Sequence, residues 1–368
     1  MKVEMVELRR IAMPLVRPFR TSFGTQTARD ILLVRVVTDV GEGWGECVAL
    51  ADPVYSSEYV AGAQQVLRQY LVPQVVAAPL GSARQLASRV SAVIGHRMAK
   101  AALETALLDA ELRAASLSLA AYLGGVRDRV DCGVSVGIAP SVPELVDEVR
   151  GYVEQGYRRI KLKVEPGWDL EPMAAVRAEF GDDLLLQVDA NTAYTTTDLR
   201  HLARFDDLGL LLIEQPFAEE DIEAHVRLAA TIATPVCLDE SVVSAASAAD
   251  AIRRGACSVV NVKAGRVGGY LEAARVHDVC AALGVPVWCG GMLETGLGRA
   301  ANVALASLPG FTLPGDTSAS SRFYREDITE PFVLEDGRLP VPQGPGIGGL
   351  PLPEVLDRVT TSREELRA

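Results

Sequence analysis

From about residue 131 the chain repeats one pattern. A short apolar, β-branched run ends in a polar or charged residue, and an amphipathic stretch follows. The runs are Cys132–Val136, Arg159–Lys163, Leu184–Asp189, Leu210–Glu214, Pro235–Asp239, Ser258–Lys263, Pro286–Gly290 and Phe311–Gly315. Between them lie helical patterns. Pro143–Val153 has acids early, apolar residues at helical spacing and Gly156 as a stop; Gly269–Leu283 runs to Gly284. Strands alternating with helices give right-handed βαβ units and a parallel sheet. Eight such units predict a closed α/β barrel of the TIM type. An open doubly wound sheet is the competing arrangement, but no phosphate-binding fingerprint opens the series.

Residues 1–130 follow another rule. Leu32–Val40, Gly41–Glu46 and Cys47–Leu50 read as antiparallel strands around a glycine-bearing turn, and Met98–Ala115 reads as a helix. The segment predicts an α+β capping domain. The barrel then spans 131–324. Residues 325–368, with the Pro- and Gly-rich stretch Pro340–Gly349, are expected to pack back on the capping domain.

The predicted strand ends carry the chemistry. Lys163, Asp189, Glu214, Asp239 and Lys263 close five consecutive runs at spacings of 26, 25, 25 and 24 residues. One βα unit per step places all five at the C-terminal mouth of a barrel, where active sites are built. Three converging carboxylates repel one another unless a cation lies between them. An oxygen-only set suits Mg²⁺, with Mn²⁺ or another divalent ion also accommodated. Lys163 and Lys263, four strands apart, face each other across the mouth. Lys161 shares the face of Lys163, and its charge, with that of a nearby dication, is expected to lower the Lys163 pKa toward that of a working base. Arginine could not fill that role. The pattern fits proton abstraction from carbon next to a carboxylate, through an enediolate. Asn191 and Glu240 are either supporting partners or ordinary polar loop residues. Arg266 either steers an anion or lies on a surface loop. Gly41–Glu46 and Gly265–Gly269 resemble phosphate loops weakly and turns more closely. The four histidines read as packing or helix-surface residues.

Composition sharpens this picture in two places. The chain of 368 residues carries a net charge of −12, which argues against nucleic acid or an anionic membrane as partner and leaves a small carboxylate substrate. Its cations are 31 Arg and only five Lys, so three lysines at two strand ends are a concentrated use of a scarce residue. Six scattered cysteines without a CxxC pair read as buried thiols of a reducing compartment. The N-terminus has no apolar core of a signal peptide, and the longest uncharged run, Ala300–Gly315, is broken by Pro and Gly. A cytoplasmic location is expected.

The series Lys161-x-Lys163, Asp189, Glu214, Asp239, Lys263 resembles that of the enolase superfamily, muconate-lactonizing subgroup. Trp44-Gly-Glu46 and Gly290–Arg299 fit as well. Pro18–Gly24, Gly95–Lys100, Val134–Ile138 and Leu313–Ser318 carry a narrower similarity to the o-succinylbenzoate synthase / N-acylamino acid racemase family. The resemblance spans essentially the whole chain. It implies a modified barrel of seven βα units and a final strand under an α+β cap, and a homo-oligomer. It implies Mg²⁺ or Mn²⁺ on Asp189, Glu214 and Asp239, with Lys163 and Lys263 as acid/base residues on opposite faces of the substrate. It also implies that the loops holding Phe19 to Phe23 and Tyr55 close over the substrate, and that Ser135, Gly291 and Met292 line its pocket. Muconate cycloisomerases share nearly the same series. Dipeptide epimerases usually carry Asp-x-Asp at the eighth strand, where this chain has Asp316-Thr-Ser318, a difference that suits an N-acylated or non-amino substrate. The competing non-enzymatic reading is a metal-stabilised barrel that binds a carboxylate.

Overall fold

A computed structural model describes residues 1–367. The capping part opens with a long hairpin, β1 (Val3–Thr21) and β2 (Gly24–Thr38), followed by β3 (Gly41–Cys47). The sequence pattern did not reveal β1. Its alternation is blurred because Val3, Met5, Val6, Glu7, Leu8 and Arg9 are all buried. The C-terminal strand β11 (Thr360–Arg367) pairs antiparallel with β1, so the chain ends on the sheet in which it began.

Helix α1 (Arg97–Ala114) lies across β3. Gly43 and Gly45 of Gly41–Glu46 serve this contact and belong to a strand, not to a phosphate loop. A Cβ on Gly43 would stand 2.2 Å from the carbonyl oxygen of Ala106, and one on Gly45 would stand 2.1 Å from that of Ala102. Both obstacles are helix backbone, which cannot swing aside. Gly45→Ala is therefore expected to destabilise the protein by about 3 kcal/mol, at the upper end for overpacking. Thermal and urea melts would read this as a lowered midpoint, and an unchanged midpoint would refute the close-approach explanation.

Seven parallel strands form the second sheet in sequential order. They are β4 (Gly133–Val136), β5 (Arg159–Lys163), β6 (Leu185–Asp189), β7 (Ile213–Glu214), β8 (Val236–Leu238), β9 (Val259–Val262) and β10 (Val287–Cys289). Each corresponds to one apolar run. The eighth run corrects the plain eightfold expectation. Phe311–Gly315 forms no ladder, only single parallel bridges, Val287 to Phe311 and Cys132 to Gly315. It still bonds to both sheet edges: Gly133 N donates to Gly315 O (2.7 Å) and Asp316 N to Cys289 O (2.8 Å). Pro314 supplies no N–H, which breaks a regular ladder here.

The intervening helices start and stop as the sequence indicates. Ser141 caps α2 (Val142–Glu154) at Glu144 N, and Gly156, at φ +86°, ends it in a conformation that favours glycine. The cap is fastened to the barrel through Glu46. Its buried carboxylate accepts from Thr295 N, Thr295 Oγ1 and Gly298 N at the start of the helix Gly296–Ala306. All six cysteines are free and buried.

Candidate active site

Strand register sets the site. Lys163 pairs with Asp189 and Asp189 with Glu214 across β5, β6 and β7. Asp239 and Lys263 each follow the last residue of their strands. Inside β5, alternation turns Arg159, Lys161 and Lys163 to the barrel interior, while Ile160 and Leu162 face outward. All five residues are buried.

Each of the two terminal lysines has two anchors. Lys163 Nζ donates to Asp189 Oδ2 and to Asn191 Oδ1, both at 2.6 Å. Asn191 is held in turn, its Nδ2 donating to Glu240 Oε1 (2.9 Å) and its N to Asp189 Oδ1 (3.0 Å). Lys263 Nζ donates to Asp239 Oδ2 (2.7 Å) and Tyr55 Oη (2.9 Å). An ammonium has three donors, so each lysine keeps one position on nitrogen that neither anchor fills.

Lys161 is different. It lies 2.7 Å from Asp316 Oδ2 and 3.2 Å from both Asp189 Oδ2 and Glu214 Oε2, with its amine 4.7 Å from the centre of the Trp288 ring. Burial opposes its charge, but Asp316, Glu214 and Asp189 outweigh that and raise its pKa. By sequence alone this ammonium is a bare neighbour of Lys163; the fold surrounds it with carboxylates. Asp316 is also paired with buried Arg159 (2.9 Å). Burial pushes the Asp316 carboxyl up, but Lys161 and Arg159 override it and hold it below the usual range. The sequence pattern does not place Arg159 or Trp288 here. The alternation of three cations in Arg159–Lys163 was the available signal.

The acidic wall comprises Asp189, Glu214 and Asp239, with Glu240 beside it. Among the described residues no three His, Cys, Asp or Glu side chains converge closely enough to hold an ion as they stand. The terminal lysine ammoniums bond Asp189 Oδ2 and Asp239 Oδ2. Asp189 is pushed up by burial but drawn below its ordinary value by Lys163 and Lys161. Glu214 is driven well above its usual value by burial and by the charge of Asp189. Glu240 is pushed up to about 7 by burial and by Asp239. Asp239 Oδ1 is buried without a hydrogen-bond partner. Glu214 Oε2 is also buried without one, and such a wall of hard oxygens, with one carboxyl pressed toward its neutral form, fits a divalent cation.

Phe23, at the hairpin tip, packs on Tyr55 with ring centroids 5.6 Å apart. Together with Ser135, Gly291, Met292, Leu293, Phe19 and Phe323 they line the cavity that contains Lys161, Lys163 and Lys263. Ser135 Oγ is buried and unpartnered. The cavity volume is about 50 Å³, room for a few waters. Arg266 is not on a surface loop, and the anion it meets is the protein's own Glu219. It is buried against the Tyr55 ring and bonded to Glu219 and the Glu240 carbonyl.

A parallel sheet of seven strands, acids on successive strand ends and lysines on both sides define a class: α/β-barrel enzymes with an acidic, cation-ready mouth. Comparison with known proteins gives the family. "Mandelate racemase / muconate lactonizing enzyme, N-terminal domain" matches residues 5–124, and "Enolase C-terminal domain-like" matches residues 144–354. The chain belongs to the enolase superfamily. It is 67% identical to an N-succinylamino acid racemase of Amycolatopsis sp, covering 99% of each chain. It is 47% identical to an o-succinylbenzoate synthase of Geobacillus kaustophilus, covering 94% of this chain and 92% of that one. A solved enolase-superfamily member from Listeria innocua superposes with a TM-score of 0.96 at 38% identity, covering 100% and 99%. Enzymes of this family generally use a divalent metal. Among the described residues no helix is long and apolar enough to cross a membrane.

Proposed function

We propose that this protein racemises N-succinylamino acids or related N-acylamino acids by removing and returning the proton α to the carboxylate. The observation that carries this reading is the pair of doubly anchored lysines, Lys163 and Lys263, in one cavity beside three strand-end carboxylates. One lysine takes the Cα proton onto Nζ, the C–H electron pair passes into the carboxylate to give an enediolate, and the other lysine returns a proton to the opposite face. Asp189, Glu214 and Asp239 would hold Mg²⁺, or Mn²⁺ in its place. The ion would supply the positive charge that stabilises the doubly charged enediolate. Asn191 and Glu240 orient Lys163, and Lys161 adds a fixed positive charge. Ser135, Phe23, Tyr55, Gly291 and Met292 contact the substrate.

A second reading, o-succinylbenzoate synthesis by syn dehydration, draws support from the synthase relatives. There Lys163 removes the proton and assists loss of hydroxide, while Lys263 stabilises the enediolate as a cation. The state of Asp316 argues against a dipeptide epimerase, because a carboxylate already neutralised by Arg159 and Lys161 is poorly placed to hold a free ammonium. The same reading takes 1–130 as cap, 131–324 as barrel and 325–368 as the returning segment, in a cytoplasmic homo-oligomer.

Proton NMR in D₂O with N-succinyl- and N-acetylmethionine is the direct test. With Mg²⁺ present, loss of the α-proton signal from both enantiomers is expected. Binding without any exchange would favour the non-catalytic carboxylate-binding alternative and overturn the proposal.

A further inference from the structure

The two lysines are anchored by different parts of the molecule. Both anchors of Lys163, Asp189 and Asn191, come from the barrel. Lys263 has one barrel anchor, Asp239, and one from the cap, the hydroxyl of Tyr55. That hydroxyl also donates to Asp239 Oδ2 at 3.3 Å. The Tyr55 ring lies 4.9 Å from the Lys263 amine and packs on Phe23 of the hairpin tip. The cap does reach the Lys163 side, where Ser22 Oγ donates to the carbonyls of Ala190 and Asn191, but this contact meets backbone and not the lysine.

We propose that Tyr55 is a positioning residue for Lys263, so that closure of the cap completes the anchoring of one catalytic lysine and not of the other. This inference rests on the two-lysine reading above. A phenolic oxygen suits the task because it accepts an N–H from lysine in either protonation state. The neutral amine retains two N–H donors, which match Tyr55 Oη and Asp239 Oδ2, and its lone pair is left to take the Cα proton. The ammonium adds a third N–H in that same position, ready to return to the enediolate. The electrons balance in both directions: the C–H pair enters the carboxylate as the N–H bond forms, and reverses on return. Without the hydroxyl, the amine retains only Asp239 and swings about that contact. With the cap open, the wild-type enzyme would be in the same condition. Chemistry that needs one base at Lys163 tolerates this better than chemistry that needs both.

Tyr55→Phe separates the two lysines, since it removes the hydroxyl and keeps the ring. Exchange of each enantiomer's α-proton with D₂O requires only the lysine on its own face, so the two exchange rates report the two lysines separately. Lys263→Ala identifies which enantiomer depends on Lys263. In Tyr55→Phe that enantiomer's exchange is expected to fall ten- to a hundredfold further than the other's, the scale of one lost hydrogen bond to a charged group. Its kcat is expected to carry the loss, with KM changing similarly for both enantiomers. Equal losses on the two faces, or a loss confined to KM, would mean that Tyr55 acts only in binding or packing and would overturn the inference. Absence of exchange in the wild-type protein would instead overturn the functional reading on which it rests. A melting curve for the variant, expected to match the wild type, guards against misfolding.

Discussion

Lys163→Ala is expected to abolish racemisation in both directions and to lower α-proton exchange of the enantiomer it serves by at least about a thousandfold, within the range for a lost general base. The variant should remain folded, since no helix or strand depends on the amine. Asp189 loses one ammonium but keeps Lys161 at 3.2 Å and the Asn191 N–H. Exchange of the opposite enantiomer, served by Lys263, is expected to survive at a reduced rate, while dehydration of a synthase substrate disappears. Lys163→Arg is expected to fail equally, because a guanidinium does not release its proton near neutral pH. Solvent-exchange NMR on each pure enantiomer checks every part of this. Unimpaired turnover in Lys163→Ala would sink the two-base mechanism.

Glu214→Gln is the second large effect. Gln keeps the shape and still accepts at Oε1 from Asn261 Nδ2, which stands 2.7 Å away. It removes the charge at the centre of the acidic wall. Divalent-cation affinity is expected to fall at least about a hundredfold and exchange activity about as far, in line with loss of a charged oxygen ligand. Thermal melts against Mg²⁺ concentration supply a readout independent of turnover. The wild type should gain stability as the ion saturates, and the variant should respond only at far higher concentrations. The variant loses the 3.2 Å contact of Glu214 Oε2 with Lys161, so each protein's own metal-free melting point is the baseline for its Mg²⁺ response. A Mg²⁺ response identical to the wild type would remove Glu214 from the metal site.

The local sequence determined the barrel strands and the residues at their ends. A run such as Arg159–Lys163 is apolar on one face and ends in charge, and seven of eight such runs became strands because burial on both faces leaves few other solutions. The spacing of about 25 residues was enough to put Lys163, Asp189, Glu214, Asp239 and Lys263 at one mouth, since each step is one strand, helix and return. Two of the departures from the sequence pattern have clear physical reasons. Strand β1 hides its period because residues on both of its faces are buried. The Phe311–Gly315 run looks like its neighbours, but Pro314 denies it a ladder.

Only the tertiary structure decided how the charges pair. Sequence places Lys161 beside Lys163, yet it cannot show that Asp316, 155 residues further on, lies 2.7 Å from the Lys161 amine, or that Trp288 lies beneath it. Nor can it show that Tyr55, 208 residues from Lys263, supplies that lysine's second anchor. Periodicity acts along the chain and fixes which residues reach the mouth. The partners that set their charge and aim come from barrel closure and from the cap, where contact depends on distance in space and not on separation in sequence.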